Sequence, residues 1–437
     1  MKESIKVGLC GLGTVGSGVF ELLAENAALI ENRIGQKITV TRVATIDRYD
    51  NLGLDFSQTQ VSDSVDDILK DPEIDIVVEL IGGKTIAKKV VLDALQNGKS
   101  AVTANKALLA EYLEEIFNAA NQSNGHLGFE ASVAGGIPII RSIREGFSGD
   151  RIDKVSGIVN GTANYILTAM AREGAGFDRA LKEAQERGYA EADPTYDIEG
   201  IDAAHKVILL MAVAFNAYFD FNQLHVEGIK GVKPIDILIA KEFGYVIKLL
   251  GSASRTEKGF EGRVCPVMIS RKSMLASVSG AFNAVSVWGN FVGETMSYGA
   301  GAGSHPTASA VVSDIIETAR SLTQGISQPV PLLNIQEECL IREVITPMDE
   351  TESEYYLRIV LNDAEKSIND ILQILSENNI DIQSVLQRPV SGDLPSQSYM
   401  LLFTEKSIEG SVQSAIRKLN ELSFVLKPVQ LIRLEAT

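Results

Sequence analysis

The stretch that most constrains this chain lies at its start. A short apolar run at residues 5–9 leads into Gly11-Leu12-Gly13-Thr14-Val15-Gly16, and apolar residues at helical spacing follow through residue 30. A GxGxxG pattern says little alone, but between a strand and a helix it is the turn that receives a dinucleotide. Its first glycine allows the tight turn, its second lets the backbone approach a pyrophosphate, and its third lets the helix pack on the strand. The helix start then offers free N–H groups to the phosphates. Gly11, Gly13, Thr14, Val15 and Gly16 are therefore the expected cofactor-binding residues. The plain alternative is a glycine turn without a ligand.

Strand and helix then alternate. Strands are expected at 38–47, 74–83, 100–105 and 126–136, with helices at 63–71, 85–98 and 106–124 between them. Such alternation implies a parallel sheet with helices on both faces, an N-terminal Rossmann-type domain over residues 1–130. The second strand ends in Asp47-Arg48. An acidic group there can bind the ribose hydroxyls of NAD, and an arginine the 2′-phosphate of NADP. With both adjacent, NADH and NADPH stay open, as does a solvated charge pair in a turn.

The alternation stops after residue 130. Residues 131–304 read as an α+β substrate-binding and oligomerisation domain, and a helix at about 305–322 completes the first domain. Residues 323–349 hold several prolines and little periodicity, which marks a linker. Residues 350–437 run βαββαβ, a ferredoxin-like order. In the middle region, Glu191, Asp193, Asp197 and Asp202 fall close together among glycine and proline. Asp202 and Lys206 are four apart, so they share a helix face. The apolar stretch after Lys206 would partly desolvate that amine, which suits proton transfer. Spacing alone fits equally an acidic loop followed by one helical ion pair.

The net charge of −17 disfavours nucleic-acid partners, because an acidic chain repels phosphate backbones. Cys10, Cys265 and Cys339 are scattered without CxxC spacing, so neither a disulfide framework nor a zinc site is expected. With no apolar run of membrane-spanning length and no leader pattern at the start, a cytoplasmic protein with no membrane partner is expected.

Several segments occur in a telling order: GLGTVG, Asn105-Lys106, the stretch from Glu130 to Pro138, Asn160-Gly161-Thr162, GYAEADPTYDIEGIDAAHK, GYVIKLLG and GAGAGSHPTASAVVSD. Over about residues 5–320 this series resembles the homoserine dehydrogenase family, and the tail resembles an ACT regulatory domain. The resemblance implies NAD(P)-dependent interconversion of L-aspartate 4-semialdehyde and L-homoserine, on the route to threonine, methionine and isoleucine. By matching motif positions it implies that Lys106 and Lys206 flank the reacting carbonyl, with Lys206 moving the proton. Asp202 and Glu191 would hold the substrate's ammonium and hydroxyl, supported by Asp197. Gly82, Gly188 and Gly303 would lie against the cofactor, and Glu130 with the carbonyls of Val133, Gly135 and Ile137 resembles a sodium site. A dimer or tetramer and feedback by L-threonine are further implications. His205 reads as a structural histidine. Two departures stand out. The second strand reads TIDR, without the arginine that many members place before the aspartate, which argues against NADP. The first turn of the tail, residues 362–368, lacks the glycine that ACT domains often carry, which leaves the effector open.

Two other functions compete. Aspartate-semialdehyde dehydrogenase acts on the same aldehyde through a cysteine nucleophile, but neither Cys265 nor Cys339 sits in a motif bearing a base. A non-catalytic sensor of nucleotide and amino acid would have no need of two lysines and Asp202 at a hydride site.

Overall fold

The computed structural model describes residues 4–49, 51–326, 328–362, 364–390 and 397–435. They form two compact units, each discontinuous in sequence. One comprises Met1–Gly161, Asp202–Leu224 and Ala281–Val344; the other comprises Thr162–Ile201, His225–Gly280 and Ile345–Thr437.

The first unit is organised by a six-stranded sheet. In spatial order its strands are Gln60–Ser62, Lys37–Ala44, Ser4–Cys10, Ile76–Glu79, Ser100–Thr103 and Leu127–Gly128, and every neighbouring pair is parallel. The chain starts in the middle, winds to one edge, and returns past its first strand to the other edge. That reversal beside Ser4–Cys10 is the switch point at which such sheets bind ligands. The helix Thr14–Glu25 packs against Ser304–Gln324, and a Cβ on Gly18 would lie 2.6 Å from Ser304 Oγ. Val7, Leu9, Val19, Val78, Val102, Val311 and Ile315 belong to the shared core. Three antiparallel strands, Ile152–Ile158, Phe282–Gly289 and Gly293–Ala300, belong to the same unit. So does the helix Ile201–Phe215 from Asp202 onward, buried on all sides as a core helix should be.

In the second unit, Tyr245–Thr256 pairs antiparallel with Gly259–Ser270. On its other side Gly259–Ser270 pairs parallel with the last strand, Val425–Glu435, through Val267↔Arg433, Met268↔Leu434 and Ile269↔Glu435. Then follow Glu352–Leu361, Ser398–Thr404 and Ile382–Pro389, all antiparallel. With the helices Ala364–Glu377 and Glu409–Asn420, the tail is a βαββαβ layer whose strands lie in the order last, first, third, second. Its sheet is thus continuous with that of residues 245–270. Two buried charge clusters reinforce the join. Arg433 meets Glu409 at 2.7 Å and Glu227 at 2.8 Å, and Arg358 meets Asp236 at 2.8 Å.

Several elements differ from expectation. The expected strand 126–136 is only Leu127–Gly128, followed by a 3-10 turn at Glu130–Ser132. Ala134 and Gly135 take left-handed φ of 56° and 55°, which no strand accommodates. The second strand stops at Ala44, before Asp47. The helix expected through residue 30 breaks at Asn26 into Thr14–Glu25 and Ala27–Ile34. Strands Gln60–Ser62, Tyr245–Thr256 and Gly293–Ala300 and helix Pro234–Glu242 were not foreseen. Within the turn 362–368 of the tail, Asp363 lies outside the described residues. Among the described residues no helix is long and apolar enough to cross a membrane.

Candidate active site

The glycine loop follows Ser4–Cys10 at the switch point, and its three glycines are constrained differently. Gly11 has φ +97°, and a Cβ there would stand 2.6 Å from the Leu80 carbonyl oxygen. A Cβ on Gly16 would stand 2.2 Å from the Gly11 carbonyl oxygen. Gly13 faces nothing within 4 Å. Two glycines therefore serve the protein's own packing, and the middle one leaves open space where a pyrophosphate would come. The helix beginning at Thr14 has no side-chain cap and no acidic residue in its first turn, so its amides are available to an anion. Val15 is half-buried. Gly303, at φ +116°, starts the helix Ser304–Gln324, and Ser304 Oγ donates to the Thr14 carbonyl at 2.6 Å. Asp47 and Arg48 are exposed, and neither has an ion-pair partner among the described residues.

Glu79, which sequence reasoning missed, shapes the next turn of the sheet edge. It is 1% exposed; Oε1 accepts from the amides of Ile81 at 2.9 Å and Gly82 at 3.3 Å, and Oε2 from Thr103 Oγ1 at 2.6 Å. Burial pushes its pKa up, against these hydrogen bonds. Gly82 itself takes φ +77°. Asn105 Nδ2 donates to the Gly83 carbonyl at 2.7 Å, and its Oδ1 caps the helix Lys106–Gln122 through the Leu108 amide at 3.0 Å. Lys106 is thereby fixed as the first residue of that helix, at the C-terminal edge of the sheet.

From there Lys106 reaches Asp202. Its Nζ lies 3.1 Å from Oδ1, while Lys206 Nζ donates to Oδ2 at 2.6 Å and to the Val159 carbonyl at 2.7 Å. Asn160 Nδ2 also donates to Oδ2, at 2.8 Å. Asp202 and Lys206 are buried, whereas the Lys106 side chain is 39% exposed. Burial alone would raise the Asp202 pKa; Lys206, Lys106 and the Asn160 hydrogen bond hold it well below the usual carboxylate range. Two ammonium groups on one carboxylate leave a net positive charge, which stabilises negative charge developing on a substrate oxygen. His205 stacks on Phe221 at 4.9 Å, and burial lowers its pKa, as fits a neutral packing residue.

At the expected cation site, the Glu130 carboxylate is already engaged. Its two oxygens accept from the Ile140 and Arg141 amides, both at 2.8 Å. Burial pushes its pKa up against those bonds. The carbonyls of Glu130 and Ile137 accept from the Val133 amide at 3.4 Å and the Ile139 amide at 2.8 Å, around the left-handed pair Ala134-Gly135. Among the described residues no group of three or more His, Cys, Asp or Glu could hold a metal.

Glu191, Asp197 and Gly188 belong to the second unit. Gly188, at φ +75°, follows the helix Phe177–Glu186, and Glu191 is exposed. Thr162 Oγ1 donates to the Tyr189 carbonyl at 2.6 Å, and Tyr189 packs on Tyr165 at 4.7 Å. Asp193 caps its own turn by accepting from the Thr195 amide at 3.1 Å and hydroxyl at 2.6 Å. As for a thiol nucleophile, Cys10 and Cys265 are buried, and burial raises both pKa values, that of Cys10 to about 12.

A parallel sheet of this order, with an open glycine loop at its switch point and a paired-lysine cluster in the same unit, defines an NAD(P)-dependent oxidoreductase. Comparison with known proteins narrows the class. Sequence models described as "Homoserine dehydrogenase, NAD binding domain" and "Homoserine dehydrogenase" match residues 11–130 and 138–316. A homoserine dehydrogenase of Pseudomonas aeruginosa is 46% identical over 99% of both chains. The crystal structure of one from Thiobacillus denitrificans superposes with a TM-score of 0.92 at 46% identity, covering 99% of this chain and 98% of that one. A hyperthermophilic archaeal homoserine dehydrogenase in complex with NADPH gives a TM-score of 0.61 at 28% identity, over 72% of this chain and 97% of its own. The chain belongs to the homoserine dehydrogenase family.

Proposed function

We propose that this chain interconverts L-aspartate 4-semialdehyde and L-homoserine, and that Lys106, Lys206 and Asp202 carry the reaction. The observation behind this is the sharing of one buried carboxylate by both lysines. The bound nicotinamide supplies or accepts the hydride. Lys206, buried and aimed by Asp202 and Val159, gives a proton to the substrate oxygen on reduction and takes it back on oxidation. Lys106, the more exposed amine, stabilises the charge on that oxygen. Glu191 and Asp197, with Asp202, recognise the substrate's ammonium and hydroxyl. Gly11, Gly13, Thr14, Val15, Gly16, Gly82, Gly188 and Gly303 approach the cofactor. Asp47 and Arg48 are the residues that select between NADH and NADPH, and the absence of an ion pair to either among the described residues supports a ribose-recognition role. Absorbance of reduced nicotinamide, followed with homoserine and NAD⁺ or NADP⁺ in separate cuvettes, tests the reaction and the preference together.

The finer organisation follows the same reading. Residues 1–130, with the helix at about 305–322, hold cofactor; 131–304 hold substrate and the oligomer contacts of a dimer or tetramer; 323–349 link them to an ACT-like regulator at 350–437. Sodium, held by Glu130 with the carbonyls of Val133, Gly135 and Ile137, supports the fold of the turn at residues 130–137. L-threonine is the effector to test first on the tail, as the end product of the route. A rate that ignores both sodium and threonine would remove these two assignments and leave the dehydrogenase reading intact.

A further inference from the structure

The second unit carries a cavity that the hydride chemistry does not use. It has a volume of about 220 Å3 and is lined by residues of the helices Gly161–Glu173 and Pro234–Glu242 and the strand Tyr245–Thr256. Arg172, Lys241, Lys248 and Arg271 all line it, and no carboxylate does. Arg172, Lys241 and Arg271 are exposed, and among the described residues none has an acidic partner. The acids beside them in sequence are engaged elsewhere: Glu173 lies 3.5 Å from Arg179, and Glu242 lies 3.2 Å from Arg388. Lys248 is 4% exposed, and its Nζ donates to Asn164 Oδ1 at 2.9 Å and to the Val278 carbonyl at 2.5 Å. That uses two of its three N–H donors. Burial lowers the Lys248 pKa to about 8, a cost that an adjacent anion would reduce.

Four cations around one small cavity are unexpected in a chain of net charge −17. Arg172 and Lys241 sit in the last turns of their helices, where a cation complements the dipole. That accounts for neither Arg271, which follows a strand, nor the buried Lys248 within one. The remaining wall mixes apolar residues, Ala171 and Ile237 among them, with Thr168, Tyr245 and Ser279. The space is smaller than the roughly 300–1,000 Å3 of sites for drug-sized ligands.

We propose that this cavity binds a small organic anion, a carboxylate or phosphate monoester on a short aliphatic body. Its charged end meets Arg172, Lys241 and Arg271, and its body lies against Ala171 and Ile237. Every residue of the site lies in the second unit, and none is shared with the Lys106–Lys206 cluster.

The test is thermal unfolding of the full chain with saturating nicotinamide cofactor at low ionic strength. n-Butyl phosphate, pentanoate, inorganic phosphate and chloride are titrated separately at matched ionic strength. Butyl phosphate or pentanoate should raise the midpoint saturably, beyond phosphate and chloride. The double variant Lys241→Glu/Arg271→Glu should weaken that response at least tenfold while homoserine turnover stays unchanged. Both side chains are exposed, so the variant should fold, which its midpoint without anion verifies. Equal shifts from all four salts, or a response that persists in the double variant, would overturn the proposal. A response to phosphate as large as to butyl phosphate would remove the organic body from it.

Discussion

Replacing Lys206 by alanine separates the chemistry of the cluster from its stability. In the parent, Lys206 Nζ holds Asp202 Oδ2 at 2.6 Å and the Val159 carbonyl at 2.7 Å. A positioned acid–base group accelerates its step by about 10²–10⁴-fold, or roughly 3–5 kcal/mol of barrier. Turnover should fall by that factor while cofactor affinity stays within about twofold. Breaking a buried ion pair by removing one partner typically costs about 3–5 kcal/mol. Here Lys106 at 3.1 Å and Asn160 at 2.8 Å still serve Asp202, so a loss nearer about 2–3 kcal/mol is expected. Adding Asp202→Asn removes the stranded charge, so the double variant should regain part of the unfolding midpoint and none of the rate. Nicotinamide absorbance gives the rate, fluorescence titration the cofactor affinity, and denaturant unfolding the stability. Lys206→Ala turning over within tenfold of the parent, on folded protein that binds cofactor, would refute the proton-transfer role.

The two glycine positions make a matched pair. Gly16→Ala should disrupt the loop even without cofactor, visible as a lower unfolding midpoint, because its Cβ would stand 2.2 Å from the Gly11 carbonyl oxygen. Gly13→Ala should leave the midpoint unchanged and weaken cofactor binding at least tenfold, since only the ligand fills that space. Arg48→Ala should lower kcat/KM with NADP⁺ and spare NAD⁺, and Asp47→Ser should do the reverse; unchanged ratios in both would remove them from cofactor choice. Burial opposes ionisation of Glu317, but the nearby His126 ring, 3.7 Å away, and the charge of Arg141 prevail and bring its pKa to about 2. A pKa below the unfolded value means stability that is fully present above about pH 4 and lost as pH falls toward 2. Glu317→Gln should therefore reduce stability near neutral pH by about 3 kcal/mol or less and flatten its acid dependence, measured by urea unfolding across pH.

What the sequence disclosed followed its local regularities. The glycine loop and the alternation of period announced the parallel sheet, because each strand and helix there carries its own pattern. The Asp202–Lys206 pair was legible because one helical turn joins it. That Lys106 completes the cluster could be proposed only by resemblance, since the pairing depends on how two distant helices come together. Glu79 and Asn160 gave no signal, one hidden in an apolar strand and the other read only as part of a motif. The strand Tyr245–Thr256 was hidden because Lys248 and Gly251 interrupt its apolar run, the lysine being held by Asn164 and Val278. The reading of residues 126–136 as strand failed at Ala134 and Gly135, whose left-handed backbone leaves no mark on hydrophobic period.

The parallel pairing of Val425–Glu435 with Gly259–Ser270 bears on how the chain is made and exchanged. Residues 425–435 leave the ribosome long after residues 259–270, so the 259–270 edge lacks this neighbour until they emerge. A stop codon between residues 425 and 433 would leave Glu409 and Glu227 without Arg433, rather than release a tethered appendage. Recombination that trades tails between relatives must therefore carry residues 225–270 with them, and the tail and that stretch should be inherited as one block.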